Sequence, residues 1–138
     1  MSVKKILVAD DHTDTRIICR ELLTHYGYVV LEAEDGQQAV KQSMEHAPDL
    51  VLLDFLMPNS DARETLEQLR GQERMRDTAI VIYTAAATHA VQLHALPGVQ
   101  QVLYKPVEAS RLLKVVRDLF GDPEADTPEF SSQSRVAS

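Results

Sequence analysis

The sequence predicts an α/β fold: a doubly wound five-stranded parallel sheet with helices on both faces. Short runs rich in Val, Ile and Leu alternate with segments of helical period. Three of those runs are apolar throughout, as parallel strands covered on both faces require. Two of the three, Ile6-Leu7-Val8-Ala9 and Leu50-Val51-Leu52-Leu53, end in aspartate, at Asp10-Asp11 and at Asp54. A carboxylate closing a buried strand is costly unless something uses it.

The strands fall at 4–10, 28–33, 50–55, 79–84 and 101–104, and the helices near 14–26, 35–46, 61–73, 88–96 and 107–120. In the first helix Ile18, Cys19, Leu22, Leu23 and Tyr26 repeat at helical spacing and define a buried stripe, with Ile17 off it. Asp14 is placed to cap that helix, and Gly27 suits a left-handed C-terminal cap. Asp61 or Ser60 caps the third helix, and Pro97-Gly98 ends the fourth. In the fifth, Leu112, Leu113, Val115, Val116, Leu119 and Phe120 form the buried side. Gly121 is the stop, and Arg111, Lys114 and Arg117 lie opposite. Strand–helix–strand units of this kind cross over right-handed.

The chain divides into a domain at 1–121 and a tail at 122–138. The tail carries two prolines, four serines and no apolar period, the composition of a disordered segment or linker. Of the net charge of −7, the tail contributes Asp122, Glu124, Asp126 and Glu129 against Arg135. An acidic domain disfavours nonspecific nucleic-acid binding. The single cysteine, Cys19, allows no internal disulfide, and no run is long enough to span a membrane. A cytoplasmic location is expected. The five histidines, His12, His25, His46, His89 and His94, lack metal-ligand spacing and read as surface residues.

In an open parallel sheet all strand C-termini open onto one edge, so Asp10, Asp11 and Asp54 should converge there. A carboxylate can form an acyl phosphate, which makes Asp54 a candidate nucleophile toward phosphorus. Two anions then meet, and a divalent cation is needed to neutralise them. All-oxygen ligands favour Mg²⁺.

Asp10-Asp11, Asp54 within Pro48–Pro58 (PDLVLLDFLMP), Thr84-Ala85 and Lys105-Pro106 each close a strand, in that order. With these residues the chain resembles the receiver domain of two-component response regulators, a flavodoxin-like fold, over about residues 3–120. The resemblance implies phosphorylation of Asp54 by a sensor histidine kinase or histidine phosphotransfer protein. It also implies Mg²⁺ held by Asp11, Asp54 and the Leu56 backbone carbonyl, with Asp10 acting through water. Thr84, with Ala85, and Lys105 would bind the phosphoryl oxygens, and the Lys105–Pro106 bond would be cis. The expected protein is a stand-alone switch or phosphorelay component without enzymatic turnover of its own. A homodimer through the face of the fourth helix, fifth strand and fifth helix is a further expectation.

The chain departs from the family's pattern in places. No glycine follows Met57-Pro58, and the stretch from Thr84 to Lys105 is about one residue short. Val102 stands where many relatives carry a mobile aromatic ring, while Tyr104 points to the opposite face of the strand. In the family the side chains two after the acceptor and two after the threonine border the path of hydrolytic water. Here they are Leu56 and Ala86, which cannot orient it, so the resemblance implies a long-lived phosphorylated state. Three other readings compete. The chain could be the receiver half of a longer transcription factor, the tail being its linker. An aspartate-nucleophile phosphatase would need an acid where Leu56 stands. A flavin-binding relative would lack the Asp10-Asp11 pair, which repels phosphate.

Overall fold

The computed structural model describes residues 3–57, 60–85, 93 and 95–121. Five strands, β1 (Lys5–Ala9), β2 (Val29–Ala33), β3 (Leu50–Asp54), β4 (Ala79–Thr84) and β5 (Val99–Tyr104), form one parallel sheet in the order β2-β1-β3-β4-β5. The helices are α1 (Thr13–His25), α2 (Gly36–His46), α3 (Ala62–Arg70) and a C-terminal helix (Ala109–Phe120). The expected fourth helix at 88–96 lies largely outside the described residues, as does 122–138. No described helix is long and apolar enough to cross a membrane.

Strand alternation sorts the side chains into two cores. Ile6, Val8, Leu50, Leu52, Val81, Tyr83 and Leu103 face α1 and the C-terminal helix, meeting Cys19, Leu23, Leu112 and Val116. Leu7, Ala9, Val51, Leu53 and Ile80 face the other way, against Ala39, Leu66, Leu69 and Met75. Continuing the first set by one step carries it to Asp10, Asp54 and Lys105. The acidic residues therefore cap an apolar face whose own packing fixes their height and direction.

Three element boundaries differ from expectation by two residues or more, the C-terminal helix starting at Ala109 rather than at 107. β5 begins two residues early, because a register shift between Ile80 and Val81 leaves Gln100 unpaired and lets Val99 join the sheet. α3 stops at Arg70, and a 3₁₀ turn (Glu73–Met75) follows. The caps are mostly as expected. Asp61 accepts from the N–H groups of Arg63 and Glu64, Gly27 takes φ 98°, and Gly121 takes φ 82°. Asp14 does not cap α1; it sits in the first turn, and His12 occupies the capping position without a side-chain bond. Ser60 instead accepts the Gly36 N–H at 2.8 Å, tying α2 to the start of α3.

The α1 stripe also needs correcting. Ile18 is 66% exposed and Tyr26 is exposed too, whereas Arg16, Cys19 and Leu23 are the buried positions. A helix advances about 100° per residue, so a face centred on 16, 19 and 23 turns Ile18 outward. Arg16 holds the place that a count of apolar residues assigned to isoleucine. The two exposed isoleucines, Ile17 and Ile18, thus stand side by side. Tyr104 requires a second correction: it is two residues from Val102, so the pleat puts both on one face, opposite Leu103. Val102 is buried against Ile82 and Leu93, while Tyr104 remains exposed.

The corrected stripe has an energetic consequence. Leu23→Ala should cost about 2–5 kcal/mol, as for other buried leucines. Ile18→Ser should change stability by less than about 0.5 kcal/mol. Denaturant unfolding of the two variants measures both; similar losses would restore Ile18 to the core.

Candidate functional site

β1 and β3 lie side by side in the sheet, and the chain places β2 on one side of β1 before crossing to β3 on the other. That switch point is where sheets of this type open a crevice. Asp10 and Asp54 stand at its floor, fully or nearly fully buried, while Asp11 is half-buried at its edge. From the end of β5, Lys105 reaches in with Nζ 2.9 Å from Asp10 Oδ2 and 3.1 Å from Asp54 Oδ2. Its own N–H donates to the Thr84 carbonyl at 2.9 Å, and the Lys105–Pro106 peptide is cis. Thr84 is buried at the end of β4, and Ala85 is exposed beside it. The Leu56 N–H donates to Asp54 Oδ1 at 3.0 Å, while the Leu56 side chain is exposed. Ala86 lies outside the described residues.

Three further residues belong to the site. Tyr83, immediately before Thr84, donates its hydroxyl to Asp10 Oδ2 at 2.6 Å, and the Lys105 ammonium lies 4.8 Å from its ring centre. Strand alternation could have found it: Val81 faces α1, so Tyr83 must too, directly beside its register partner Asp54. Arg16 donates through Nη1 to the Asp10 carbonyl at 2.7 Å and through Nε to Glu32 at 3.2 Å. It thereby fixes the turn carrying both acids. Nothing in the apolar pattern of α1 points to it. His12, read as a surface residue, is exposed, yet its N–H donates to Asp10 Oδ1 at 2.8 Å and its Nδ1 lies 3.2 Å from the same atom.

Asp10 thus has contacts at both oxygens: His12 at Oδ1, Tyr83 and Lys105 at Oδ2. Burial pushes its carboxyl upward, but the hydrogen bonds from Tyr83, the His12 N–H and Lys105 outweigh this and hold it below the ordinary range. Asp54 goes the other way. Burial raises its carboxyl above the usual value, the Leu56 N–H and Lys105 reverse this only in part, and the neighbouring Asp10 charge adds to the rise. For Lys105, burial works downward, but the Asp10 hydrogen bond and the charges of Asp54 and Asp10 lift it above its usual value. Burial, aided by Asp10, pushes the Cys19 thiol to about 11, which leaves it a packing group.

One ligand atom from each of Asp10, Asp11, His12 and Asp54 lies within 4.8 Å of the others. Asp11 Oδ1 is buried and accepts no hydrogen bond, although the His12 ring nitrogen stands 3.4 Å away. Lys105 pairs with two of the three carboxylates, Asp10 and Asp54. An unsatisfied carboxylate oxygen and excess negative charge are what a hard divalent cation would relieve, so the donors fit Mg²⁺.

Comparison with known proteins agrees with this geometry. The response regulator receiver domain family matches residues 6–117, and the chain belongs to that family. It is 33% identical over 117 residues to the chemotaxis protein CheY of Bacillus subtilis, covering 81% of this chain and 93% of that protein. It is 34% identical over 118 residues to the sensory/regulatory protein RpfC of Xanthomonas campestris, covering 83% of this chain but only 16% of that longer protein. Among solved structures, the receiver domain of a sensor histidine kinase from Pseudomonas aeruginosa, with magnesium in its active-site cleft, superposes with a TM-score of 0.77. It is 27% identical and covers 87% of this chain and 99% of that one. The response regulator TrrA of Thermotoga maritima, solved with Mg²⁺ and beryllofluoride, gives 0.76 at 29% identity, covering 86% of this chain and all of that one. The protein is thus a receiver domain of two-component signalling.

The raised carboxyl of Asp54 bears on stability. A carboxyl whose folded-state value exceeds its unfolded value stabilises the fold fully only below the unfolded value, about 4. That contribution is lost as pH rises through the folded value. At neutral pH without metal, the Asp54 carboxylate therefore costs stability, as functional groups often do. Asp54→Asn should stabilise the metal-free protein by about 1 kcal/mol at pH 7, a gain that shrinks toward pH 4. Thermal unfolding in chelator measures it, and a lower midpoint for Asp54→Asn would contradict the assignment.

Proposed function

We propose that this receiver accepts a phosphoryl group on Asp54 from the phosphohistidine of a histidine kinase or phosphotransfer protein, with Mg²⁺ as cofactor. The convergence of Asp10, Asp11 and Asp54 on one strand edge, with Lys105 within hydrogen-bonding distance of two of them, carries this reading. Asp11, Asp54 and the Leu56 carbonyl would hold the metal, and Asp10 would act through water. Bound there, the ion neutralises the charge that builds as two anions meet. A carboxylate oxygen of Asp54 attacks phosphorus, the phosphorus–nitrogen bond breaks, and the imidazole departs with the bonding pair. Lys105 then moves its ammonium onto a phosphoryl oxygen, and the Thr84 hydroxyl serves another. The protein is spent and reset in this role rather than turning over a substrate.

A single phosphoryl adduct should appear in the intact mass after treatment with acetyl phosphate and Mg²⁺. Asp54→Asn and a chelator should each abolish it. A stable adduct on the Asn variant would place the acceptor elsewhere.

The donor's docking surface is the apolar groove of about 590 Å³ between α1 and the segment joining β5 to the C-terminal helix. Ile18, Leu22, Leu103, Val107 and Leu112 line it, and it opens beside Lys105. A helix presenting the phosphohistidine fits such a groove, laying apolar side chains beside Ile18 while its imidazole faces Asp54. Ile18→Glu should slow transfer from the phosphohistidine donor by about tenfold, roughly 1.4 kcal/mol. Labelling by acetyl phosphate should be unchanged. Equal loss in both assays would assign Ile18 to the domain's integrity instead.

A further inference from the structure

Tyr83 touches both charged partners that stand behind Asp54. Its hydroxyl donates to Asp10 Oδ2 at 2.6 Å, and its ring lies beneath the Lys105 ammonium, 4.8 Å from the ring centre. Both it and Asp10 are buried, so water cannot replace either contact cheaply. Lys105 shares the same Oδ2 at 2.9 Å and bridges to Asp54 at 3.1 Å. In this state Asp10 Oδ2 has two donors, and only one of them is mobile. A lysine is a point charge on a flexible stem, whereas a phenol packed in the sheet core is fixed.

We propose that Tyr83 is a positioning residue that releases Lys105: its hydroxyl keeps Asp10 paired when the ammonium leaves for a phosphoryl oxygen on Asp54. This rests on the phosphoacceptor reading and deepens it. Without the hydroxyl, moving Lys105 strips Asp10 Oδ2 of its last donor, and a buried carboxylate left so is penalised. The lysine is then held back. The ring adds a second component, since it gives the ammonium a favourable surface along its path. No covalent step is involved; Tyr83 acts only through Asp10 and Lys105.

The logic makes a double-mutant cycle decisive. When Lys105 is absent, the Tyr83–Asp10 bond is the same before and after the phosphoryl group arrives, so losing it cancels. Beryllofluoride, a stable mimic of the phosphoryl group, is titrated calorimetrically into the full 138-residue chain at saturating Mg²⁺. Tyr83→Phe keeps the ring and should weaken binding by about tenfold, the lower end of what a hydrogen bond to a charge contributes. In a Lys105→Met background the same substitution should change binding by less than about twofold. Tyr83→Leu, which also removes the ring, should weaken binding further in the presence of Lys105. Two results overturn the proposal: unchanged binding by Tyr83→Phe, or an equal loss with and without Lys105, which marks a purely structural role. Failure of the wild-type protein to bind beryllofluoride would instead overturn the phosphoacceptor reading, and this inference with it.

Discussion

The Lys105 ammonium stands between two carboxylates that the sheet has buried, 2.9 Å from Asp10 and 3.1 Å from Asp54. Two anions so close in a low-dielectric crevice repel strongly unless a cation lies between them. The rest of the architecture serves that arrangement. β1 and β3 are neighbours, which brings the acids together; β5 must end on the same edge to deliver the lysine. Arg16 anchors the turn after β1 by its carbonyl, so Asp10 and Asp11 cannot swing apart to relieve their repulsion. Its guanidinium is itself balanced by Glu32 on β2, which also takes Arg20. The electrostatic demand at the crevice is thus carried outward to the edge of the sheet.

The two central carboxylates are matched in burial but not in company. Asp10 has a phenol, a backbone N–H and the lysine, and it is held ionised. Asp54 has one backbone N–H and a share of the lysine, and its carboxyl rises. A well-solvated anion makes a poor nucleophile and a good support; an under-solvated one is the reverse. Environment therefore divides the roles between two identical side chains, and the division agrees with Asp54 as the reacting group. Asp11, half-buried with an oxygen that accepts no hydrogen bond, keeps a lone pair that fits the proposed metal.

Much of this was legible in the sequence. Apolar runs ending in aspartate gave the strands, their direction and the edge at which the acids meet, because burial on both faces leaves a parallel strand little freedom of composition. Lys105 and Thr84 entered through the resemblance to receiver domains, as residues closing β5 and β4. The residues that escaped notice are those whose polar atoms find partners only in the tertiary fold. Arg16 looks like a solvated charge until α1 is laid over β1. Tyr83 reads as a β-former until register sets it beside Asp54. His12 is the exception: its contacts are with its immediate neighbours Asp10 and Asp11, and they leave no metal-ligand spacing to read. Ile18 failed in the opposite sense: an apolar side chain was assigned inward by composition, although the helix's phase, set by Arg16, Cys19 and Leu23, turns it out.

The end of β4 gives the proposed phosphorylation of Asp54 a route to both faces of the sheet. Tyr83 and Thr84 are consecutive, so the pleat sends one toward α1 and the C-terminal helix and the other to the opposite layer. Tyr83 is tied to the charges through Asp10 and Lys105. Thr84 sits over the layer in which Ile82, Val102 and Leu93 pack together. Val102 is small, buried and without a polar atom, so no ring can move into a vacated space there. A shift of Thr84 must instead be taken up by repacking of that aliphatic cluster, since close-packed interiors transmit displacement rather than absorb it. Phe55 is the aromatic ring packed against that cluster, while Tyr104 lies exposed on the same face one pleat further on. Short hydrogen bonds thus hold the α1 side of the site, and a close-packed aliphatic cluster lies behind the other.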